Sequence, residues 1–113
     1  MRMARKNKAR LREAVQSATV IVTNPTHYSV AIYYEPGQPA PIVVAKGVDH
    51  LAFKIREFAK EFDVPIVPNP PLARALYKQV EVGDPVPREL FQSVAELLAY
   101  VFKTIRKLRG LEE

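Results

Sequence analysis

Asn24-Pro25-Thr26-His27 is the one segment of this 113-residue chain whose residue types and order can do chemistry without an outside reagent. Proline after asparagine removes the backbone N–H that would otherwise attack the asparagine side chain and lead to deamidation. One internal route remains. The side-chain amide nitrogen of Asn24 can attack its own backbone carbonyl carbon, close a five-membered succinimide and expel the proline nitrogen, cutting the chain between Asn24 and Pro25. Proline also biases the preceding residue away from the α region, and a strained turn can hold its side chain near the attacking geometry. Thr26 is a candidate to donate its hydroxyl or brace the turn, and His27 to take or relay a proton.

The demand on the fold is modest. A cleavage half-life of about half an hour corresponds to a barrier of ~22 kcal/mol, and one of about two weeks to ~26 kcal/mol. Orientation contributes about 7–11 kcal/mol in favourable intramolecular reactions, and one well-aimed donor to the carbonyl oxygen about 3 kcal/mol. A turn can meet this without a catalytic triad. The competing explanation is ordinary turn chemistry, since asparagine and proline are both frequent turn formers. The chain carries its own control in a second pair, Asn69-Pro70, where an N-cap asparagine followed by proline at the first helical position accounts for both residues structurally. Asn69 is therefore expected to be inert, its side chain engaged in capping.

Little else in the sequence suggests a reactive centre. The chain has no cysteine, which excludes disulfides, thiolate metal sites and a cysteine nucleophile. His27 and His50 are the only histidines and no HExxH spacing exists, so no metal is expected. Gly37, Gly47, Gly83 and Gly110 are too scattered to cradle a nucleotide, and no cofactor is expected. His50, beside Asp49 at a helix start, reads as a surface residue, and Arg74 as an exposed helix arginine. Tyr28, Tyr33 and Tyr34 serve strand faces.

The elements that must position the Asn-Pro turn follow from pattern. Hydrophobic residues make up 48% of the chain and charged ones 26%, enough for one buried core and too apolar for disorder. Residues 1–17 lack Gly and Pro and show a weak apolar stripe at Leu11, Ala14, Val15 and Ala18, which predicts a helix. Thr19–Thr23 and Tyr28–Tyr34 are β-branched or aromatic strands joined by the Asn-Pro turn, and Ile42–Ala45 is a third strand, apolar enough to be central. Leu51, Ile55, Phe58 and Phe62 form one face of a helix with Asp49 as N-cap. Residues 64–67 are a short strand whose Pro65 places it at a strand start or a sheet edge, with a parallel neighbour. Helices then run from Leu72 to Gln79 and from Arg88 to Leu108, the last with Leu90, Val94, Leu97, Val101, Ile105 and Leu108 on one stripe. The expectation is an α/β fold: a small mixed four-stranded sheet flanked by about four helices, with a basic N-terminal connector helix.

The net charge of +5 is unevenly spread. Residues 1–12 hold six bases and no acid, whereas residues 13–113 hold 11 bases against 12 acids. The body is nearly neutral and has no phosphate-binding stripe. A second basic cluster, Lys103, Arg106, Lys107 and Arg109, closes the last helix, where positive charge suits the helix dipole. Nucleic-acid binding through the arm alone is a weaker alternative, and would show a steep salt dependence. No apolar run approaches the ~18–20 residues needed to cross a bilayer, and the N-terminus lacks a signal peptide's apolar stretch, so a soluble, cytoplasmic chain is expected.

VIVTNPTHYSVA at residues 20–31, VVAKG at 43–47 and PPLARALY at 70–77 together closely resemble the cytoplasmic domain of the FlhB/YscU family, the switch proteins of type III secretion export apparatus. The likeness covers about residues 10–108, and the Val-Ala-Lys-Gly and Pro-Pro-Leu-Ala-Arg wording looks flagellar rather than virulence-type. The resemblance implies cleavage between the Asn and Pro of the NPTH motif, here Asn24 and Pro25, with the two fragments remaining associated as neighbouring strands. It implies a switch of export specificity from rod and hook components to filament components. The implied partners are other export-apparatus proteins, export substrates and a hook-length control protein, with no nucleic acid. Family proteins carry an N-terminal membrane domain absent here. Residues 1–17 are then a basic juxtamembrane connector at the cytoplasmic face of the bacterial inner membrane, where positive charge is favoured, residues 18–109 the self-cleaving domain and 110–113 a tail. Such a protein is not a turnover enzyme; its autocleavage is a single intramolecular event. The alternative is a binding module of a secretion apparatus that does not cleave itself.

Overall fold

The computed structural model describes residues 2–25 and 27–108, with side chains for residues 9–25 and 27–107. It contains helix α1 (Arg2–Ser17), strands β1 (Val20–Asn24), β2 (Tyr28–Tyr33) and β3 (Ile42–Val48), helix α2 (His50–Glu61), strand β4 (Ile66–Pro68), helix α3 (Pro70–Gln79), a 3-10 turn at Arg88–Leu90 and helix α4 (Phe91–Leu108). The strands form one mixed sheet in the order β3-β2-β1-β4. The β1–β2 and β2–β3 pairs are antiparallel, while β1 and β4 are parallel neighbours; α2 carries the chain from β3 at one edge to β4 at the other.

Helices cover both faces of the sheet. On one face Leu72 and Leu76 of α3 and Val94, Leu97 and Val101 of α4 pack against Val20, Val22, Val30, Ile32 and Val43. On the other, Val15 of α1 and Ile55, Phe58 and Ala59 of α2 pack against Ile21, Ala31 and Ala45. Val20, Ile21 and Val22 are all fully buried, because β1 sits inside the sheet and is covered on both sides. Burying three such side chains contributes on the order of 1.5–3 kcal/mol each.

Two expectations are corrected. β3, read as central from its apolar run, lies at the sheet edge. Its apolar residues reflect face burial rather than inner position. A bulge between Ala31 and Ile32 sets Ala45 opposite Ala31 and Val43 opposite Ile32, so Val43 enters one core and Ala45 the other. The free edge at the start of β3 is closed by the loop before α4, with Gly83 N–H donating to Val43 O (2.7 Å) and Val43 N–H to Asp84 O (3.1 Å). Leu51, expected on the buried stripe of α2, is 43% exposed, and that stripe is made instead by Ala52, Ile55, Phe58 and Ala59. Leu51 folds over Gly47, where an added Cβ would lie only 2.7 Å from Leu51 Cγ, so the glycine makes room for the first turn of α2.

The C-terminal half of α1 packs onto the core. Val15 is fully buried, Leu11 and Ala14 pack on the same core, Arg12 forms an ion pair with Glu61, and its guanidinium lies 4.7 Å from the Phe62 ring centre. Lys103, Arg106 and Lys107 are exposed on the last turns of α4, while Arg109 and residues 110–113 lie outside the described residues. No helix among the described residues is long and apolar enough to cross a membrane.

Candidate functional site

Asn24 is the last residue of β1 and stands opposite Tyr28, the first residue of β2. The intervening turn is exposed at Pro25 and His27, while Asn24 is partly buried. Thr26 lies outside the described residues, so its expected bracing role has no geometry attached to it. Directly beneath the turn, Thr23 is 2% exposed and Ser29 is fully buried, with Ser29 Oγ donating to Ala52 O (3.1 Å). The turn therefore stands on a rigid hairpin.

The His27 backbone N–H donates to the Asn24 carbonyl oxygen at 2.9 Å and closes the turn across Pro25. That oxygen belongs to the carbonyl that would be attacked. A donor already in place withdraws electron density from the carbonyl carbon and stabilises the negative charge that develops on oxygen during attack. Proline at the second turn position has φ fixed by its ring, so the turn starts with little conformational freedom to lose. Among the described residues no hydrogen bond involves the Asn24 side chain.

His27 is held from outside the hairpin. Its carbonyl oxygen accepts the Asp49 N–H (2.9 Å), and its Nδ1 lies 3.7 Å from Asp49 Oδ1. Asp49, expected as the N-cap of α2, occupies that position, but its side chain makes no capping hydrogen bond. Its backbone is at φ 52° and ψ −113°, a conformation unusual for any residue with a Cβ. The carboxylate is turned to His27 instead of to the helix. Sequence reading missed this partnership because 22 residues separate the two, and an aspartate at a helix start is explained locally by capping.

On the opposite side of the turn an aromatic row anchors β2. The His27 and Tyr28 rings are 6.3 Å apart, Tyr28 and Tyr77 4.9 Å, and the Lys46 ammonium sits 4.9 Å from the Tyr77 ring centre while donating to Tyr77 O (2.9 Å). Lys46 and Tyr77 come from the VVAKG and PPLARALY segments, so all three sequence blocks meet beside the turn. His50 and Arg74 are exposed, as expected.

The second Asn-Pro pair takes the expected capping position. Asn69 is the N-cap of α3, its Oδ1 accepts the Leu72 N–H (3.3 Å), and Pro70 is the first helical residue. Because β1 and β4 are parallel and adjacent, both pairs leave the same end of the sheet, and the Asn69 N–H donates to Thr23 O at 2.8 Å.

Comparison with known proteins agrees with this architecture. The profile of the FlhB HrpN YscU SpaS Family matches residues 1–101. The chain is 58% identical over 100 residues to the flagellar biosynthetic protein FlhB of Bacillus subtilis, covering 88% of this chain and 28% of that protein. It is 51% identical over 98 residues to the protein of the same name from Salmonella typhimurium, covering 86% and 26%. To the hypersensitivity response secretion protein HrcU of Ralstonia nicotianae it is 49% identical over 96 residues, covering 84% and 27%. The chain thus spans little more than a quarter of the length of these relatives. Among solved structures, the cytoplasmic domain of FlhB from Shewanella putrefaciens superposes with a TM-score of 0.85 at 46% identity, covering 91% of this chain and 80% of that one. An EscU C-terminal domain carrying an asparagine-to-alanine mutation gives 0.78 at 36% identity, covering 80% and 92%. With the motif blocks gathered at one turn and the same mixed sheet beneath them, the chain belongs to the FlhB HrpN YscU SpaS family.

Proposed function

We propose that this chain is the cytoplasmic domain of a flagellar type III export-apparatus protein that cuts itself once between Asn24 and Pro25, and that the cut takes part in switching export from rod and hook proteins to filament proteins. What supports the cleavage is the place of Asn24-Pro25 in an exposed hairpin turn, where the asparagine has no helix to cap and the His27 N–H donates to its carbonyl oxygen at 2.9 Å. Asn24 Nδ2 forms a bond to the Asn24 carbonyl carbon and gives up a proton, with His27 as the nearby candidate to relay it. The carbon–nitrogen bond to Pro25 then breaks, and its electron pair stays on the proline nitrogen, which takes up a proton. The products are a C-terminal succinimide on residues 1–24 and a new N-terminus at Pro25. Water enters only afterwards, when the succinimide opens.

The fragments would stay together. Residues 1–24 supply β1, which lies between β2 and β4, and Val15, Val20, Ile21 and Val22 are fully buried against residues of the other fragment. Cutting the exposed turn removes no core contact, so the change is local and suits a switch read by apparatus proteins, export substrates or a hook-length control protein. The basic first helix is the connector to the cytoplasmic face of the inner membrane. Intact-mass spectrometry of the purified chain at neutral pH tests the cleavage: fresh fragments sum to the uncut mass, and the shorter one gains one water on ageing. A chain uncut after many hours overturns the proposal. In cells, Asn24→Ala should retain hook-type export and lose filament export.

A further inference from the structure

We infer that Asp49 is a positioning residue for the Asn24–Pro25 cleavage, acting through His27; the inference rests on the cleavage reading above. Three observations converge on it. Asp49 holds the main chain of His27, its N–H donating to His27 O at 2.9 Å, while the His27 N–H donates to the Asn24 oxygen at 2.9 Å. Hydrogen bonds thus run from the start of α2, through residue 27, to the scissile carbonyl. The Asp49 carboxylate makes no capping bond to its own helix, although capping is the usual use of an aspartate there. Its Oδ1 lies 3.7 Å from His27 Nδ1, too long for a settled hydrogen bond but within ion-pair reach. Finally, Asp49 adopts φ 52° and ψ −113°, a backbone state that costs free energy in a residue with a Cβ and that aims the carboxylate at the turn.

A carboxylate beside Nδ1 favours the neutral imidazole tautomer with the proton on Nδ1, which leaves Nε2 as the basic nitrogen for the asparagine amide proton. Both side chains are largely exposed, so the effect on rate is small and measurable rather than all-or-none. Gaps of this kind commonly tighten when charge develops during reaction.

The test variant is Asp49→Gly, which accepts the unusual backbone angles, keeps the N–H to His27 O and removes the carboxylate together with its Cβ. Cleavage followed by intact mass should slow about two- to five-fold. In a His27→Ala background the same change should have no further effect, since the two residues act through one another. A second readout does not depend on cleavage. In the uncleavable Asn24→Ala protein, nitrogen NMR of neutral His27 should show the Nδ1–H tautomer enriched with Asp49 and lost in Asp49→Gly. An unchanged cleavage rate and tautomer ratio in Asp49→Gly would overturn this inference while leaving the cleavage reading intact. Failure of the unaltered chain to cut would overturn both.

Discussion

The two Asn-Pro pairs are neighbours in space and differ in the element each leads into. Asn24 leaves β1 into a hairpin turn, and Asn69 leaves β4 into a helix. Both backbone carbonyls accept a hydrogen bond, from His27 N–H and from Ala73 N–H, each at 2.9 Å. Polarising the carbonyl is therefore common to both and does not separate them. The side chains do. Asn69 spends its Oδ1 on the Leu72 N–H, a cap that stabilises α3 by about 1 kcal/mol and that attack on its own carbonyl would forfeit. In the hairpin Asn24 has no helix to cap. On the proposed reading the same dipeptide serves structure where a helix follows it and reactivity where a hairpin turn follows it.

The sharpest way to break this contrast is Asn24→Ala, which should abolish fragments altogether and leave one intact mass. Fragments beginning at Pro70 in any variant would contradict the distinction drawn between the sites. Next comes Ile21→Ala, in the strand from which one turn leaves and beside which the other starts. It should cost about 2–5 kcal/mol of stability in a denaturant titration and release residues 1–24 at lower denaturant once the chain is cut. Asn69→Ala should leave the cleavage rate unchanged and lower stability by about 1 kcal/mol through the lost cap, a fall of roughly 4–8 °C in thermal midpoint. The smallest effect is expected from Arg12→Gln, which breaks an exposed ion pair far from either asparagine: about 0.2–1 kcal/mol, with cleavage unaffected.

Much of the fold and of the site is legible in the order of residues alone. The apolar stripes of α1 and α4, the hairpin around Asn24, the parallel β4 with its prolines and the capping role of Asn69 all follow from spacing and residue type. The hairpin and the cap rest on contacts within a few residues, and the stripes and the parallel strand leave local signs in periodicity and proline placement. Errors arise where distance in sequence matters. The run Ile42–Ala45 looks central, because burial of a strand's faces and pairing of its edges leave the same apolar signature. Leu51 has the right helical spacing, but Gly47 on the adjoining strand gives it a different seat. Asp49 has the residue type and place of a cap, yet its carboxylate faces His27.

The sequence by itself determined what chemistry is available: an amide beside its own carbonyl, a proline leaving group, no thiol, and a VIV strand apolar on both faces. These are properties of covalent structure and of local alternation, and tertiary contacts do not alter them. Tertiary structure alone decided that β1 is the inner strand, that the two Asn-Pro pairs share one end of the sheet, and that α2 grips the turn through Asp49. The reason is that strand order and register are set by which faces can be buried together. That choice is made between segments far apart in the chain, where local propensity carries no information.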